Sequence, residues 1–269
     1  MFSLATNAAP GRPNEDFAVV TPELAIVIDG AGVPLAGCHH GVAWYARQLG
    51  TQTVAALTGN SALSLSDGLA AGIQGVAALH ADTCDLDSPN TPCAAVGILR
   101  VGPDAVETLA LSDAVVVVDL FEEGPQVICD LSIEEHAAPE PVALAGLHFG
   151  TAAHQDALSR LVEAQTATRN RADGWWVASN DPSAAYHALT KTYPRSAARR
   201  MAVFSDGATR PVDQMGLYKW PAYLDLLDKL GPRDLIGHVR AVESDDPDGD
   251  RFPRTKRHDD ATAVQYIAD

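Results

Sequence analysis

Carboxylates recur in five short stretches: Asn14-Glu15-Asp16, Asp29-Gly30, Ser112-Asp113, Ser205-Asp206-Gly207 and Asp259-Asp260-Ala261-Thr262. Three of these adjoin apolar runs of strand character: Leu24 to Ile28 before Asp29, Met201 to Phe204 before Ser205-Asp206, and Ala263 to Ile267 after Asp259-Asp260. A carboxylate at the end of a buried strand is held rigidly, and several converging there repel one another unless a cation neutralises them. The chemistry these residues suggest is a hard-metal site assembled from distant segments.

The elements that must position them follow from pattern and punctuation. After a flexible start, residues 16–20 and 24–28 read as a hairpin turning at Thr21-Pro22-Glu23 and ending on Asp29. Helices are expected over 36–57 and 63–82, split by Gly59-Asn60-Ser61. Strands over 94–100, 106–111, 114–121 and 125–130 suggest an antiparallel meander. A loop over 132–150 leads to a helix over 152–165, and Asn180-Asp181-Pro182 opens a short helix. A strand over 201–204, helices over 219–230 and 232–243 divided at Gly231-Pro232, a polar loop from Ser244 to Arg257 and a strand over 262–267 complete the chain. Strand blocks interleaved with pairs of helices favour an α+β layered architecture in one domain, 1–269, over a doubly wound parallel sheet.

The 269 residues are 46% hydrophobic, enough to bury a substantial core. The net charge of -16 disfavours nucleic-acid binding, which needs cationic neutralisation of phosphates. No apolar run approaches the roughly 18 residues of a membrane span, and the start lacks a signal-peptide pattern, so a cytoplasmic location is expected. Cys38, Cys84, Cys93 and Cys129 form no CxxC pair and are expected to be reduced. Cys38-His39-His40 could join a soft-metal site, but no second Cys/His cluster with zinc-ligand spacing is expected. Trp175-Trp176 is expected to pack, the run Glu243 to Asp250 to be surface loop, and the basic residues Arg251, Arg254, Lys256 and Arg257 to be solvated.

The order and strand context of the acidic stretches resemble the metal-dependent protein phosphatases, the type 2C serine/threonine family, along nearly the whole chain. Trp175-Trp176 and the closing Pro253 to His258 resemble an actinobacterial branch of that family. The resemblance implies a four-layer α-β-β-α sandwich, with two packed antiparallel sheets flanked by helices, and a binuclear Mg²⁺ or Mn²⁺ centre. It implies Asp29 as the bridging carboxylate, Glu15 and the Gly30 carbonyl on one ion, and Asp206 and Asp259 on the other. Asp113 falls where bacterial members place an Asp that helps hold a third, weaker ion. Asp16 and Asp260 are expected behind these ligands. The implied reaction is hydrolysis of phosphoserine or phosphothreonine on proteins by a metal-bridging water, without a phosphoenzyme.

The chain also departs from the family's pattern. Arg12 precedes Glu15 by three positions rather than four, which on a strand would reverse its side chain away from a substrate phosphate. Ala31 stands where many members have a His acting as general acid, leaving His39 or His40 as a stand-in if the loop folds back, or a metal-bound water as the proton donor. The mid-chain motif reads Ser112-Asp113-Ala114-Val115, without the Gly, Ser and Arg of the family's Gly-Asp-Ser-Arg, and Asp260 replaces the usual Asn. Two other functions stay open: a phosphatase-like binding or regulatory module with little catalysis, and a hydrolase of small phosphate esters.

Overall fold

Runs such as Ala25-Ile26-Val27-Ile28 and Val115-Val116-Val117-Val118 are apolar on both faces, which a strand sustains only when both faces are covered. The computed structural model, which describes residues 1–32, 38–137, 144 and 146–267, covers them on both sides. One sheet has the order β2-β3-β4-β5-β8: β2 (Asp16–Val20), β3 (Leu24–Ala31), β4 (Cys93–Val101), β5 (Ala105–Leu111) and β8 (Leu189–Pro194). The second has the order β1-β10-β9-β6-β7: β1 (Phe2–Asn7), β10 (Ala261–Tyr266), β9 (Ala198–Phe204), β6 (Val115–Leu120) and β7 (Gly124–Ile128). Every pairing is antiparallel.

Side chains alternate across a strand, so each strand serves two cores. Leu24, Ile26 and Ile28 of β3 pack under helices α1 (Val42–Gly59) and α2 (Leu65–His80), while Ala25 and Val27 face the opposite sheet. On β6, Val116 and Val118 enter the space between the sheets, and Val115 and Val117 meet α6 (Trp220–Ser244) through Tyr223, Leu224 and Leu227. The result is the expected α-β-β-α sandwich.

Several local expectations need correction. The start is the edge strand β1, with Phe2 opposite Tyr266. The four central strands are not one meander: β4 and β5 lie in one sheet and β6 and β7 in the other. The chain changes sheets at Ser112-Asp113, where Ser112 has φ 60, the left-handed conformation that explains a glycine at this point in the family's pattern. Part of 132–150 is helix α3 (Ser132–Ala137), while residues 138–143 and 145 lie outside the described residues, as do 36 and 37 at the expected start of α1. Helix α4 (Ala152–Thr168) is as expected, but α5 (Asp206–Asp213) and β8 were not. The expected division at Gly231-Pro232 is found: Gly231 is non-helical, with φ 73 and ψ 168, so the span called α6 is two helices meeting at that residue.

Candidate metal centre

The same alternation that builds the core also aims the carboxylates. Asp29 continues the parity of Ala25 and Val27, and its register partner Asp16 that of Ala18 and Val20, so both point between the sheets. From the other sheet, Ser205 continues the parity of Met201 and Val203, and Thr262 that of Val264. At this end of the sandwich, apolar packing gives way to a polar clamp. Asp16 is 6% exposed, and its Oδ2 accepts hydrogen bonds from Ser205 Oγ at 2.8 Å and Thr262 Oγ1 at 2.6 Å. The Thr262 amide donates to Ser205 Oγ at 2.9 Å. The non-ligand members of three motifs thereby fasten the sheets together.

Asp260 forms a second clamp. Its Oδ1 accepts from the Ala9 amide and its Oδ2 from the Glu15 amide, both at 2.7 Å, which fixes the loop carrying Arg12 and Glu15. Both oxygens must accept, so an aspartate fits here and an asparagine does not. Gly30 and Gly207 let backbones close on the site: a Cβ at Gly30 would run into the Glu15 carbonyl, and one at Gly207 into the Asp260 carbonyl. The Gly30 amide donates to that Glu15 carbonyl at 3.2 Å.

Around these clamps Glu15, Asp29, Gly30, Asp113, Asp206 and Asp259 line one cleft of about 370 Å³. Arg12 lines it too, from an exposed turn rather than a strand, so the argument from strand parity does not apply to it. His39 is not among the lining residues. The turn at Cys38–Gly41 places its Nδ1 3.5 Å from Cys84 Sγ, and its ring lies against His40. Helix α4 and Trp175 wall the cleft, and Trp175 is buried with its indole N–H on the Gln165 carbonyl at 2.8 Å.

Burial pushes the Asp29 carboxyl well above its ordinary range, and Asp16 and Asp206 push it further. Burial, then Asp206, raises Asp113 to about 7; burial also raises Asp16 to about 7 against its two hydroxyl partners. Burial and Asp259 raise Asp206, and burial raises Glu15, opposed by Arg12. Asp259 alone of the set is held low: Lys256 and Arg210 overcome its burial, with Lys256 Nζ on Oδ1 and Arg210 Nη2 on Oδ2, both at 2.9 Å. Among the described residues no ion pair neutralises Asp29, Asp113 or Asp206. These uncompensated carboxylates, with the Glu15 carboxylate and the Gly30 carbonyl, make an all-oxygen donor set that fits a hard divalent cation.

Sequence reasoning missed Arg210 and Glu243. Arg210 is 1% exposed and bonds Glu243 Oε1 at 2.6 Å, while Glu243 Oε2 accepts from Arg240 at 2.8 Å and lies 2.9 Å from His258 Nδ1. The four-residue step from Asp206 to Arg210 is the available signal, and Pro211 obscured the helix that gives it meaning. The expected surface loop from Glu243 and its basic neighbours is corrected in part: Glu243, Asp246 and Arg254 are buried, with Arg254 Nη1 2.8 Å from Asp246 Oδ2, while Arg251, Lys256 and Arg257 are exposed as expected.

Two outcomes follow from these contacts. Asp260→Asn turns an N–H donor toward one backbone amide and is expected to cost roughly 2 kcal/mol of stability in chemical denaturation. For pH, Asp16 and Asp113 hold protons to about 7 in the folded chain but to 3.8 as ordinary carboxyls, so between those values the folded chain binds more protons. With chelator present, the melting temperature should therefore fall as pH rises from about 4 to about 7, and less steeply in Asp113→Asn. A rise across that range would contradict the assignment.

No protein-family model matches the sequence, and no curated protein matches it. Solved structures do. The catalytic domain of the serine/threonine protein phosphatase PstP in complex with two manganese ions aligns over 98% of this chain and 96% of its own, at 15% identity and TM-score 0.56. Stp1 of Staphylococcus aureus, a serine/threonine phosphatase, aligns over 100% and 94%, at 14% identity and TM-score 0.61. MsPP of Mycobacterium smegmatis, a PPM serine/threonine phosphatase in complex with cacodylate, aligns over 98% and 97%, at 15% identity and TM-score 0.57. At such identities it is the architecture that is shared, and the chain has the fold of the PPM-type serine/threonine phosphatases.

Proposed function

We propose that the protein is a Mg²⁺- or Mn²⁺-dependent phosphatase that hydrolyses phosphoserine or phosphothreonine on proteins. The observation that carries this is the convergence of Glu15, Asp29, Gly30, Asp113, Asp206 and Asp259 on one cleft, in a fold shared with such enzymes. Asp29 would bridge two ions, with Glu15 and the Gly30 carbonyl on one side and Asp206 and Asp259 on the other; Asp113 would hold a third. When bound, such a pair supplies an acidified water as nucleophile and positive charge for the phosphoryl oxygens.

The chain's own residues do the rest. Arg12 presents an exposed guanidinium at the cleft, placed to draw in and orient a phosphate dianion. Lys256, an exposed side chain, also lines the cleft, and Asp259 and Asp206 keep it protonated, adding a cation beside the carboxylates. Asp16 and Asp260 keep the ligand-bearing strands and loop in register. Ala31 leaves that position without a proton donor, and His39 faces Cys84, so a smaller rate than in a site with a positioned acid is expected.

Turnover of an aryl phosphate and of phosphopeptides should require added Mn²⁺ or Mg²⁺ and fall roughly 100-fold or more in Asp29→Ala and Asp206→Ala. Metal-independent turnover untouched by these substitutions would overturn the proposal. Metal binding without turnover would favour a binding module, and turnover confined to small metabolites a different substrate class.

A further inference from the structure

Away from the acidic cleft, four side chains with softer donors meet where the turn entering α1 packs on the end of α2. Cys38 and His40 precede α1; His80 is the last residue of α2, and Cys84 follows it in the next turn. Cys38 Sγ lies 3.6 Å from His40 Nδ1, 3.5 Å from His80 Nδ1 and 3.5 Å from Cys84 Sγ, and Cys84 Sγ lies 3.4 Å from His40 Nδ1. All four donor atoms fall within 4.8 Å of one another. Thiolate and imidazole ligands held tetrahedrally at zinc bond lengths of about 2.3 and 2.0 Å stand about 3.3 to 3.8 Å apart, a range that contains these four separations.

We infer that Cys38, His40, His80 and Cys84 form a structural site for Zn²⁺, pinning the segment that enters α1 to the end of α2. Four protein ligands close the coordination sphere, leaving no open position for catalysis. Two sulfurs and two imidazoles select zinc over the hard ions that suit the oxygen-lined cleft. Hydrogen bonding accounts poorly for the cluster: Cys84 Sγ has Cys38, His39 and His40 all within 3.5 Å but only one proton to give. Both thiols are free. Trp44 stacks on His40 at 4.3 Å and lies 5.2 Å from His80, forming an apolar wall, while Cys38 and His80 are each 2% exposed.

Burial holds His80 below its ordinary range, in the neutral form a metal requires, and raises the Cys38 thiol, which gives its proton to solvent as the sulfur–zinc bond forms. His39, 3.5 Å from Cys84 Sγ, lies beside the set. The expectation that the chain holds no second Cys/His cluster is thereby corrected: His80-x-x-x-Cys84 supplies it, and the fold brings it to Cys38-x-His40.

The test is elemental analysis and titration of the purified full chain with Zn²⁺ and Co²⁺. One zinc per chain is expected, with a sulfur-to-cobalt charge-transfer band in the cobalt form. Affinity should fall more than about 100-fold in Cys38→Ser and Cys84→Ser but hold in Asp29→Ala. Because a serine variant can fail to fold, the wild type is also stripped with a chelator and returned to saturating Mg²⁺, which refills the acidic cleft only: its melting temperature should stay below that of the untreated protein until Zn²⁺ is added as well. Absence of zinc uptake, a cobalt spectrum without sulfur ligation, or zinc lost in Asp29→Ala but kept in Cys84→Ser would overturn the inference. None of these readouts depends on phosphatase activity.

Discussion

The clamp on Asp16 is the interaction on which the site depends. Two sheets packed through Val27, Val116, Val203 and Val264 have no directional preference at their ends, because apolar packing is indifferent to where a strand stops. One buried carboxylate oxygen that accepts from Ser205 on one strand end and Thr262 on another sets that register. The proposed ligands Glu15, Asp29, Asp206 and Asp259 each lie within three residues of a clamping residue in sequence or its strand partner, so fixing the clamp fixes them. The cost is a buried acid beside other acids, with Asp16 Oδ1 lacking a hydrogen-bond partner among the described residues.

Charge compensation divides the cleft into two unequal sides. Around Asp259 the chain supplies its own cations, Lys256 from a loop and Arg210 from α5, with Arg210 anchored by Glu243 on α6. Asp29, Asp113 and Asp206 have no direct ion pair among the described residues; Lys256 and Arg210 act on Asp206 only from a distance, and burial still drives these carboxyls toward their neutral forms. Such an arrangement is costly to maintain for packing alone and is relieved by binding a divalent cation. Arg210 also couples α5 and α6 to the site, so the helical layer on that side contributes electrostatics as well as apolar cover.

The acidic constellation was legible because apolar strand runs that end in carboxylates leave a local signature, as in Leu24 to Ile28 followed by Asp29; the face Asp29 takes was not, since that run is apolar on both faces. Asp260 was visible as a residue but not as a two-oxygen acceptor, since its partners are backbone amides at Ala9 and Glu15, whose identity leaves no mark in sequence. Arg210 and Glu243 were hidden for a different reason: a buried ion pair reads as two surface charges until the helices carrying them are packed. The edge strand Phe2–Asn7 was missed because its stability comes from pairing with Ala261–Tyr266 at the far end of the chain. Cys38-His39-His40 looked incomplete alone and His80 with Cys84 went unread, because only the packing of α1 on α2 joins them.

The central claim is that the converging carboxylates form a binding site for hard divalent ions. Anomalous scattering from crystals soaked in Mn²⁺ tests it most directly. The account predicts two strong peaks in the cleft, one beside Glu15, Asp29 and the Gly30 carbonyl and one beside Asp206 and Asp259. A cleft without manganese, with the carboxylates paired only among themselves and with Arg210 and Lys256, would contradict it.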